Sequence, residues 1–138
     1  AASDAVFGAF NRRFGVPLVD MGTMRLPRLI GQSVAMDIIL TGRPVNAVEA
    51  KQIGLVNRIA PSGEALNAAV ALAKELAAFP QIAMRNVKLS VIEQWNLPLH
   101  DALENESRHG MASFATGEAQ RGAKRFAEGD GRHGSPST

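Results

Sequence analysis

The chain has 138 residues, enough for one domain with a hydrophobic core, and its hydrophobic content of 46% fits a globular protein. Its 15 Lys and Arg residues against 13 Asp and Glu give a net charge of only +2, which argues against the basic surface of a nucleic-acid-binding protein. There is no cysteine, which excludes disulfides, thiolate catalysis and cysteine-bound metals and is compatible with a reducing, cytoplasmic location.

The N-terminal residues lack the layout of a signal peptide, and no apolar run is long enough to span a bilayer. Residues 5–10, AVFGAF, are typical of the end of a buried strand, with a loop as the alternative. A short helix is expected to be capped by Thr23 and to stop at Gly31. Ser33 is expected to cap a second helix that Gly42 closes.

The next segment carries a capping box and a short alternating run. The Asn46 side chain can accept from the first turn of a helix while Glu49 reaches back, and Gly54 is expected to stop that helix. Residues 55–59, LVNRI, alternate as a half-buried strand does.

The rest of the chain is predicted to be helical. Helices are expected over residues 65–78 and 81–95, after Pro98, and over residues 116–127, with a flexible tail at residues 128–138. The two middle helices are expected to bury apolar faces, which comprise Ile82, Val87, Val91, Ile92 and Trp95 on the first and Leu99, Ala102, Leu103, Glu106, Gly110, Met111 and Phe114 on the second.

One acid stands among turn residues. Asp20 lies between a proline-bearing loop and a glycine-threonine helix start, where it could either take part in proton transfer or simply cap a turn. Several arginines lie nearby and could bind phosphate or form a solvated basic face: Arg12, Arg13, Arg25 and Arg28. The histidines have no metal-ligand spacing, so surface or core roles are favoured for His100, His109 and His133.

Three motifs occur in an order and at spacings typical of one family. They are GTMRL at Gly22–Leu26, AMDIILTGR at Ala35–Arg43, and AVEAKQIGLV at Ala47–Val56. On these motifs the chain resembles the enoyl-CoA hydratase/isomerase (crotonase) family, over about residues 5–126.

The resemblance implies an α/β crotonase-like (ClpP/crotonase) fold, of which this chain would be the mainly α C-terminal part. Residues 1–60 would be the last turn of the family's β-β-α spiral and carry the active-site segment. Residues 61–127 would be the helical oligomerisation region, followed by the tail at residues 128–138. The N-terminal half of the fold, with the backbone donors that stabilise a thioester enolate, is then expected to be a partner supplied from outside these residues.

The resemblance also assigns two candidate catalytic positions. Asn11 lies four residues before Gly15, where hydratases of the family place their second catalytic glutamate, and asparagine keeps hydrogen bonding but cannot exchange a proton. Asp20 lies where dienoyl-CoA isomerases of the family carry an aspartate in an Asp-x-Gly-Thr context. The resemblance therefore implies an acyl-CoA enzyme of fatty acid metabolism, with isomerisation favoured over hydration.

Substrate binding and assembly follow from the same resemblance. Phe114 resembles the position that closes over a neighbour's coenzyme A, and Arg121, Lys124 and Arg125 could meet its phosphates. Coenzyme A enters as part of the substrate, so no separate cofactor and no metal are expected. A homotrimer or a hexamer is implied. A second interpretation is a non-catalytic oligomerisation or interaction module, because the helices are rich in apolar faces.

Overall fold

The computed structural model describes residues 1–131 and divides the chain into two compact units. The first unit is Ala1–Leu72, and the second begins at Ala73. The boundary lies inside a helix, whereas the sequence analysis ended its first segment at residue 60. Of the predicted tail, residues 132–138 with His133 lie outside the described residues.

The first unit combines a short ribbon of two strands with short helices. The strands pair antiparallel, with Val6 opposite Asn46 and Phe7 opposite Val45. Its elements in chain order are β1 (Val6–Phe7), a 3-10 turn (Phe10–Phe14), α1 (Gly22–Ile30), α2 (Gln32–Thr41), β2 (Val45–Asn46), α3 (Ala47–Gln52) and the start of α4 (Ala65–Ala78).

The strand predicted over residues 5–10 is shorter and less buried than expected. Only Val6 and Phe7 pair, and Val6 is exposed. The ring of Phe10 folds back over Gly8, where any Cβ would collide with it, so the chain turns there instead of continuing as a strand.

Two predicted helix caps are replaced by backbone turns. Helix α1 begins at Gly22 after Met21, so Thr23 lies inside the helix and does not cap it. Gly31 ends α1 as predicted and also precedes α2, so Ser33 lies inside α2. Gly42 closes α2 in the left-handed conformation, as predicted.

The capping box of α3 is half confirmed. The Glu49 N–H donates to the Asn46 side chain over 2.9 Å, as predicted, but the Glu49 side chain binds Arg43 instead of reaching back. The predicted strand at residues 55–59 is wrong. The N–H groups of Leu55 and Val56 both bond back to the Ala50 carbonyl, at 2.9 and 3.0 Å, so they close the helix end and cannot join a ladder.

The core of the first unit is small and apolar. Partly buried side chains such as Leu18, Leu26 and Ile39 pack around it. Its buried members are Ala9, Ile30, Ala35, Ile38, Val45 and Ala50.

The second unit is helical in the part of the chain that the structure describes. Helix α4 was predicted with its observed bounds, and the later helices lie close to prediction. They are α5 (Gln81–Glu93), a 3-10 turn (Gln94–Asn96), α6 (Leu99–Phe114) and α7 (Glu118–Ala127). Within residues 1–131, no helix is both long and apolar enough to cross a membrane.

The predicted burial of the apolar faces of α5 and α6 is wrong within this chain. The large apolar side chains on them are exposed, namely Ile82, Val87, Val91, Ile92, Leu99, Leu103, Met111 and Phe114, and so is Trp95 just after α5. The buried residues on α6 are Asn105 and His109. The reason is that polar side chains of the two helices pair with each other and take the place of an apolar seam.

Candidate functional site

A cleft in the first unit brings together the two residues that the sequence analysis singled out for catalysis. It has a volume of about 470 Å³, and both Asn11 and Asp20 belong to its wall. The remaining wall is mainly apolar and consists of Gly8, Ala9, Phe10, Val16, Pro17, Leu18 and Val19. A few polar groups in a largely apolar cleft are typical of a small-molecule site.

Asn11 is placed by the 3-10 turn Phe10–Phe14. Gly15 ends this turn with a φ of 68°, and its N–H donates to the Arg12 carbonyl over 3.2 Å. The Val16 N–H then donates to the Asn11 carbonyl over 3.2 Å. Asn11 and Arg12 also line a neighbouring cleft of about 430 Å³, so Asn11 belongs to the walls of both clefts.

Asp20 is placed by the sharp turn that starts α1. Met21 adopts the left-handed conformation, with a φ of 67°, directly before the first helical residue. Gly22 lies against Leu18, because a Cβ on that glycine would come within 2.8 Å of the leucine side chain. Leu18 in turn packs against the apolar core. The turn therefore anchors Asp20 in the cleft wall while leaving it exposed to solvent.

Two of the arginines near this cleft have structural contacts. The Arg13 guanidinium donates to the Gly42 carbonyl over 2.6 Å and lies 5.0 Å from the centre of the Phe10 ring. It thereby fastens the 3-10 turn to the end of α2. The Arg25 guanidinium lies 3.4 Å from the Met21 sulfur. For these two residues the structure favours a packing role over a phosphate site.

An ion cluster supports the junction of α2 and α3. The Arg43 Nε lies 2.6 Å from the Asp37 carboxylate, and its terminal nitrogens donate to both Glu49 oxygens over 3.0 and 2.6 Å. Hydrogen bonding to Glu49 and then Asp37 raises the pKa of Arg43, and the same bond to Arg43 lowers the pKa of Glu49. This bidentate pair holds the segment that carries β2 in place.

The basic residues predicted to meet phosphates lie together in the second unit. Arg121, Lys124 and Arg125 line a cleft of about 630 Å³ that Phe79 and Pro80 also line. Phe114 is not among the lining residues of this cleft; it lies at the end of α6 with 56% of its surface exposed. The structure therefore joins the three cations of the predicted set but not the aromatic residue.

Two carboxylates, Glu118 and Glu128, line that cleft together with the cations. The Glu118 side chain on α7 accepts from the N–H groups of Ile82 and Ala83 over 3.4 and 3.0 Å, and so caps α5 from another helix. The Arg125 side chain lies 3.9 Å from the Asp130 carboxylate, and Arg121 donates to a backbone carbonyl. Part of the positive charge of this cleft is therefore balanced within the chain.

A buried polar cluster joins α5 and α6. His109 is 7% exposed, and its ring lies with Nδ1 3.2 Å from the Asn86 oxygen and Nε2 2.8 Å from Glu93. The Asn86 nitrogen donates to the Ser113 hydroxyl over 3.0 Å. The hydrogen bond with His109 lowers the pKa of Glu93. Of the surface and core roles predicted for the histidines, His109 has the core role.

Met21, Glu118 and Glu93 were not among the residues predicted to matter for the site or its support. Methionine rarely adopts positive φ, so nothing in the local pattern indicated the turn at Met21. Glu118 caps a helix that begins 37 positions earlier in the numbering, and Glu93 pairs with a histidine 16 residues away. Neither pair of residues is three or four positions apart, so the helical spacing of the sequence does not reveal it.

The first cleft has the chemistry of proton transfer at one position and of hydrogen bonding at the other. A carboxylate such as Asp20 can take up and release a proton, whereas the Asn11 amide can only donate and accept hydrogen bonds. In residues 1–131 the structure holds no group of three or more His, Asp or Glu side chains arranged to bind a metal ion.

Comparison with known families gives a match over nearly the whole chain. The model described as Enoyl-CoA hydratase/isomerase matches residues 1–133. This match extends from the first residue, and it contradicts the prediction that the chain is the C-terminal half of the fold only.

Individual relatives and solved structures agree with this match. The chain is 31% identical over 128 residues to Enoyl-CoA hydratase EchA19 of Mycobacterium tuberculosis, covering 93% of this chain and 48% of that protein. It is 34% identical over 132 residues to the mitochondrial enoyl-CoA hydratase of Pongo abelii, and this match covers 91% of this chain and 46% of that protein.

Among solved structures, the enoyl-CoA hydratase of Bacillus anthracis superimposes with a TM-score of 0.85 at 32% identity, covering 93% of this chain and 50% of that one. Enoyl-CoA hydratase EchA1 of Mycobacterium marinum superimposes with a TM-score of 0.86 at 31% identity, and the match covers 100% of this chain and 53% of that one. These matches support the predicted crotonase fold. The chain spans about half the length of the curated relatives it matches.

Proposed function

The chain belongs to the enoyl-CoA hydratase/isomerase family, and from this premise we propose that the protein carrying it acts on acyl-CoA thioesters. The observation that supports the proposal best is the cleft whose wall contains both Asn11 and Asp20. Its apolar lining suits an acyl chain, and its acid suits proton transfer next to a thioester. Such a reaction belongs to fatty-acid-type metabolism.

In this proposal Asp20 is the acid/base. Proton removal beside a thioester carbonyl gives an enolate, and return of the proton at another carbon of the acyl chain shifts the double bond. A single carboxylate can perform both steps in turn, because it accepts the proton as a base and returns it as an acid. The anchoring of the turn through Leu18 and Gly22 supports the fixed placement that this shuttle requires.

Asn11 gives the preference for isomerisation over hydration. Addition of water across a double bond needs one group to take a proton from water and another to give a proton to carbon. The Asn11 amide can hold a water or a carbonyl by hydrogen bonds, but it cannot exchange a proton near neutral pH. With Asp20 as the one titratable side chain in the wall of this cleft, isomerisation is the simpler reaction.

The first test replaces Asp20 by asparagine in the complete gene product. We expect Asp20→Asn to lower kcat for isomerisation of a 3-enoyl-CoA by about 100-fold or more, the usual contribution of a general acid/base. The matched control is Asp4→Asn, an acid of the same unit that lies outside the cleft and binds Ser62. Undiminished turnover in Asp20→Asn would sink the assigned role.

The second test restores a carboxylate at the other position. Asn11→Glu should raise hydration of a 2-enoyl-CoA relative to isomerisation, because the cleft then holds two proton-exchanging groups. The ratio of the two activities, measured on the same preparation, is the readout. An unchanged ratio would contradict the role given to Asn11.

Coenzyme A binding is assigned to the second unit. We propose that Arg121, Lys124 and Arg125 meet the phosphates, and that Phe114 packs on the coenzyme A of a neighbouring copy. Replacing the three cations together by glutamine should raise KM for the thioester without a matching loss of kcat. Equal KM values in the triple variant and the wild type would count against this site.

A second candidate function has an observation of its own. The exposed apolar side chains of α5 and α6 favour a role in self-association, with or without catalysis, and a homotrimer or hexamer is the proposed assembly. Light scattering of the purified protein tests this, and a monodisperse monomer would contradict it. A cytoplasmic location stays a prediction from the sequence.

A further inference from the structure

Met21 has an unusual backbone conformation. Of the non-glycine residues that the structure describes, it alone has a positive φ, with φ 67° and ψ 7°. The left-handed region is unfavourable for an L-residue with a side chain, and residues stay there only where their surroundings impose it. Methionine gains no local hydrogen bond from this conformation, unlike asparagine or aspartate.

Local contacts impose the conformation on Met21. Its carbonyl oxygen accepts the N–H groups of Met24 and Arg25 over 3.1 and 2.9 Å, which closes the first turn of α1. Its sulfur lies 3.4 Å from the Arg25 guanidinium. On its other side Gly22 lies close to the Leu18 side chain, which a Cβ at position 22 would approach to 2.8 Å.

The consequence falls on the neighbouring residue. Asp20 precedes Met21 directly, and a rotation about the Met21 backbone would move Asp20 relative to the helix start. Glycine at position 21 would adopt the same φ without strain but would also reach many other conformations. Methionine at position 21 therefore allows the turn fewer backbone conformations than glycine would.

We infer that Met21 is a positioning residue that fixes Asp20 in the wall of the cleft shared with Asn11. The inference rests on the proposed function of Asp20 and adds a second residue to it. Met21 acts through the backbone, and it is not among the residues that line the cleft.

The test compares Met21→Gly, Met21→Asn and Asp20→Asn in the complete gene product, with isomerisation of a 3-enoyl-CoA as the assay. We expect Met21→Gly to lower kcat by about 10-fold with KM unchanged, since misplacement by about 1 Å can cost up to about 100-fold. Its melting temperature should not fall, because the substitution removes strain. Met21→Asn should keep more of kcat than Met21→Gly, because asparagine adopts the left-handed conformation readily.

Met24→Ala is the matched control. Met24 is 49% exposed against 48% for Met21, lies in the same first turn and has a right-handed helical backbone. An equal loss of kcat in this control, or an unchanged kcat in Met21→Gly while Asp20→Asn loses turnover, would overturn the inference and leave the proposed function standing. Full turnover in Asp20→Asn would overturn both.

Discussion

The two units of this chain bury opposite kinds of side chain. In the first unit the buried residues are almost all apolar, with Ile38 and Val45 among them. In the described part of the second unit the buried side chains are Asn105 and His109, while the large apolar residues of α5 and α6, apart from the half-buried Met84, are exposed. Both units are built largely from amphipathic helices, so the difference lies in which face each helix turns toward its own unit.

This difference separates two sources of stability. Hydrophobic burial contributes roughly in proportion to the apolar area removed from water, and the first unit obtains it from its own core. The second unit is held instead by directional hydrogen bonds around His109 and Glu93. Its apolar faces remain available for burial against another surface, in keeping with the proposed assembly.

The largest difference between the two units is expected when one apolar side chain is truncated in each. Ile38→Ala should lower the free energy of unfolding by about 2–5 kcal/mol, because it leaves a cavity in the core of the first unit. Val87→Ala on the exposed face of α5 should lower the free energy of unfolding of the dissociated chain far less. Urea titrations followed by circular dichroism measure both, and similar losses would contradict the contrast.

The next effect in size concerns the polar cluster. His109→Ala should destabilise the protein by about 1–3 kcal/mol, because its partly buried partners Asn86 and Glu93 lose their hydrogen bonds. Hydrogen exchange should rise in α5 and α6. The control is His100→Ala, since the His100 side chain is 80% exposed. If both variants behave alike, the cluster does not stabilise the second unit.

A smaller effect is expected at the start of α5. Glu118→Ala removes the acceptor for the N–H groups of Ile82 and Ala83 and should cost about 1 kcal/mol, as the loss of a helix cap does. Glu118→Gln keeps an acceptor and should cost less. Exchange of these two amide protons is the direct readout, and equal exchange in the alanine variant and the wild type would rule out the cap.

The smallest effect is the pH dependence that the two units share. The folded-state pKa values of Glu49 and Glu93 both lie below the ordinary 4.5. The contribution of each carboxylate to the free energy of unfolding is therefore fully present above pH 4.5. It is lost as the pH falls below 4.5 toward the folded-state pKa. Both carboxylates are partly exposed, so solvent screening keeps the effect small.

Glu49→Gln and Glu93→Gln should each flatten the fall of the urea midpoint below pH 4.5. Peptide-resolved hydrogen exchange should place the effect of Glu49→Gln in the first unit and the effect of Glu93→Gln in the second unit. A wild-type midpoint that stays constant on acidification would contradict both assignments.

Local features of the chain could be predicted from the sequence. The bounds of α4 follow from apolar spacing and a terminal Phe-Pro pair, and the Asn46 cap and the Gly42 stop depend on residues within one helical turn. The motifs from Gly22 to Val56 were enough to indicate the family that the chain belongs to. Short-range hydrogen bonds and periodicity determine these features, and both can be read along the chain.

Tertiary structure alone decided the rest. The partners of His109 and Glu118 lie 16 to 36 residues away, so no local pattern could show that α5 and α6 turn polar faces toward each other. The left-handed turn at Met21 depends on contacts with Arg25 and on the packing of Leu18 against Gly22. The sequence singled out Asn11 and Asp20, and the folded chain places both in the wall of one cleft. That placement depends on long-range contacts, because Arg13 binds the Gly42 carbonyl and Leu18 packs against the core.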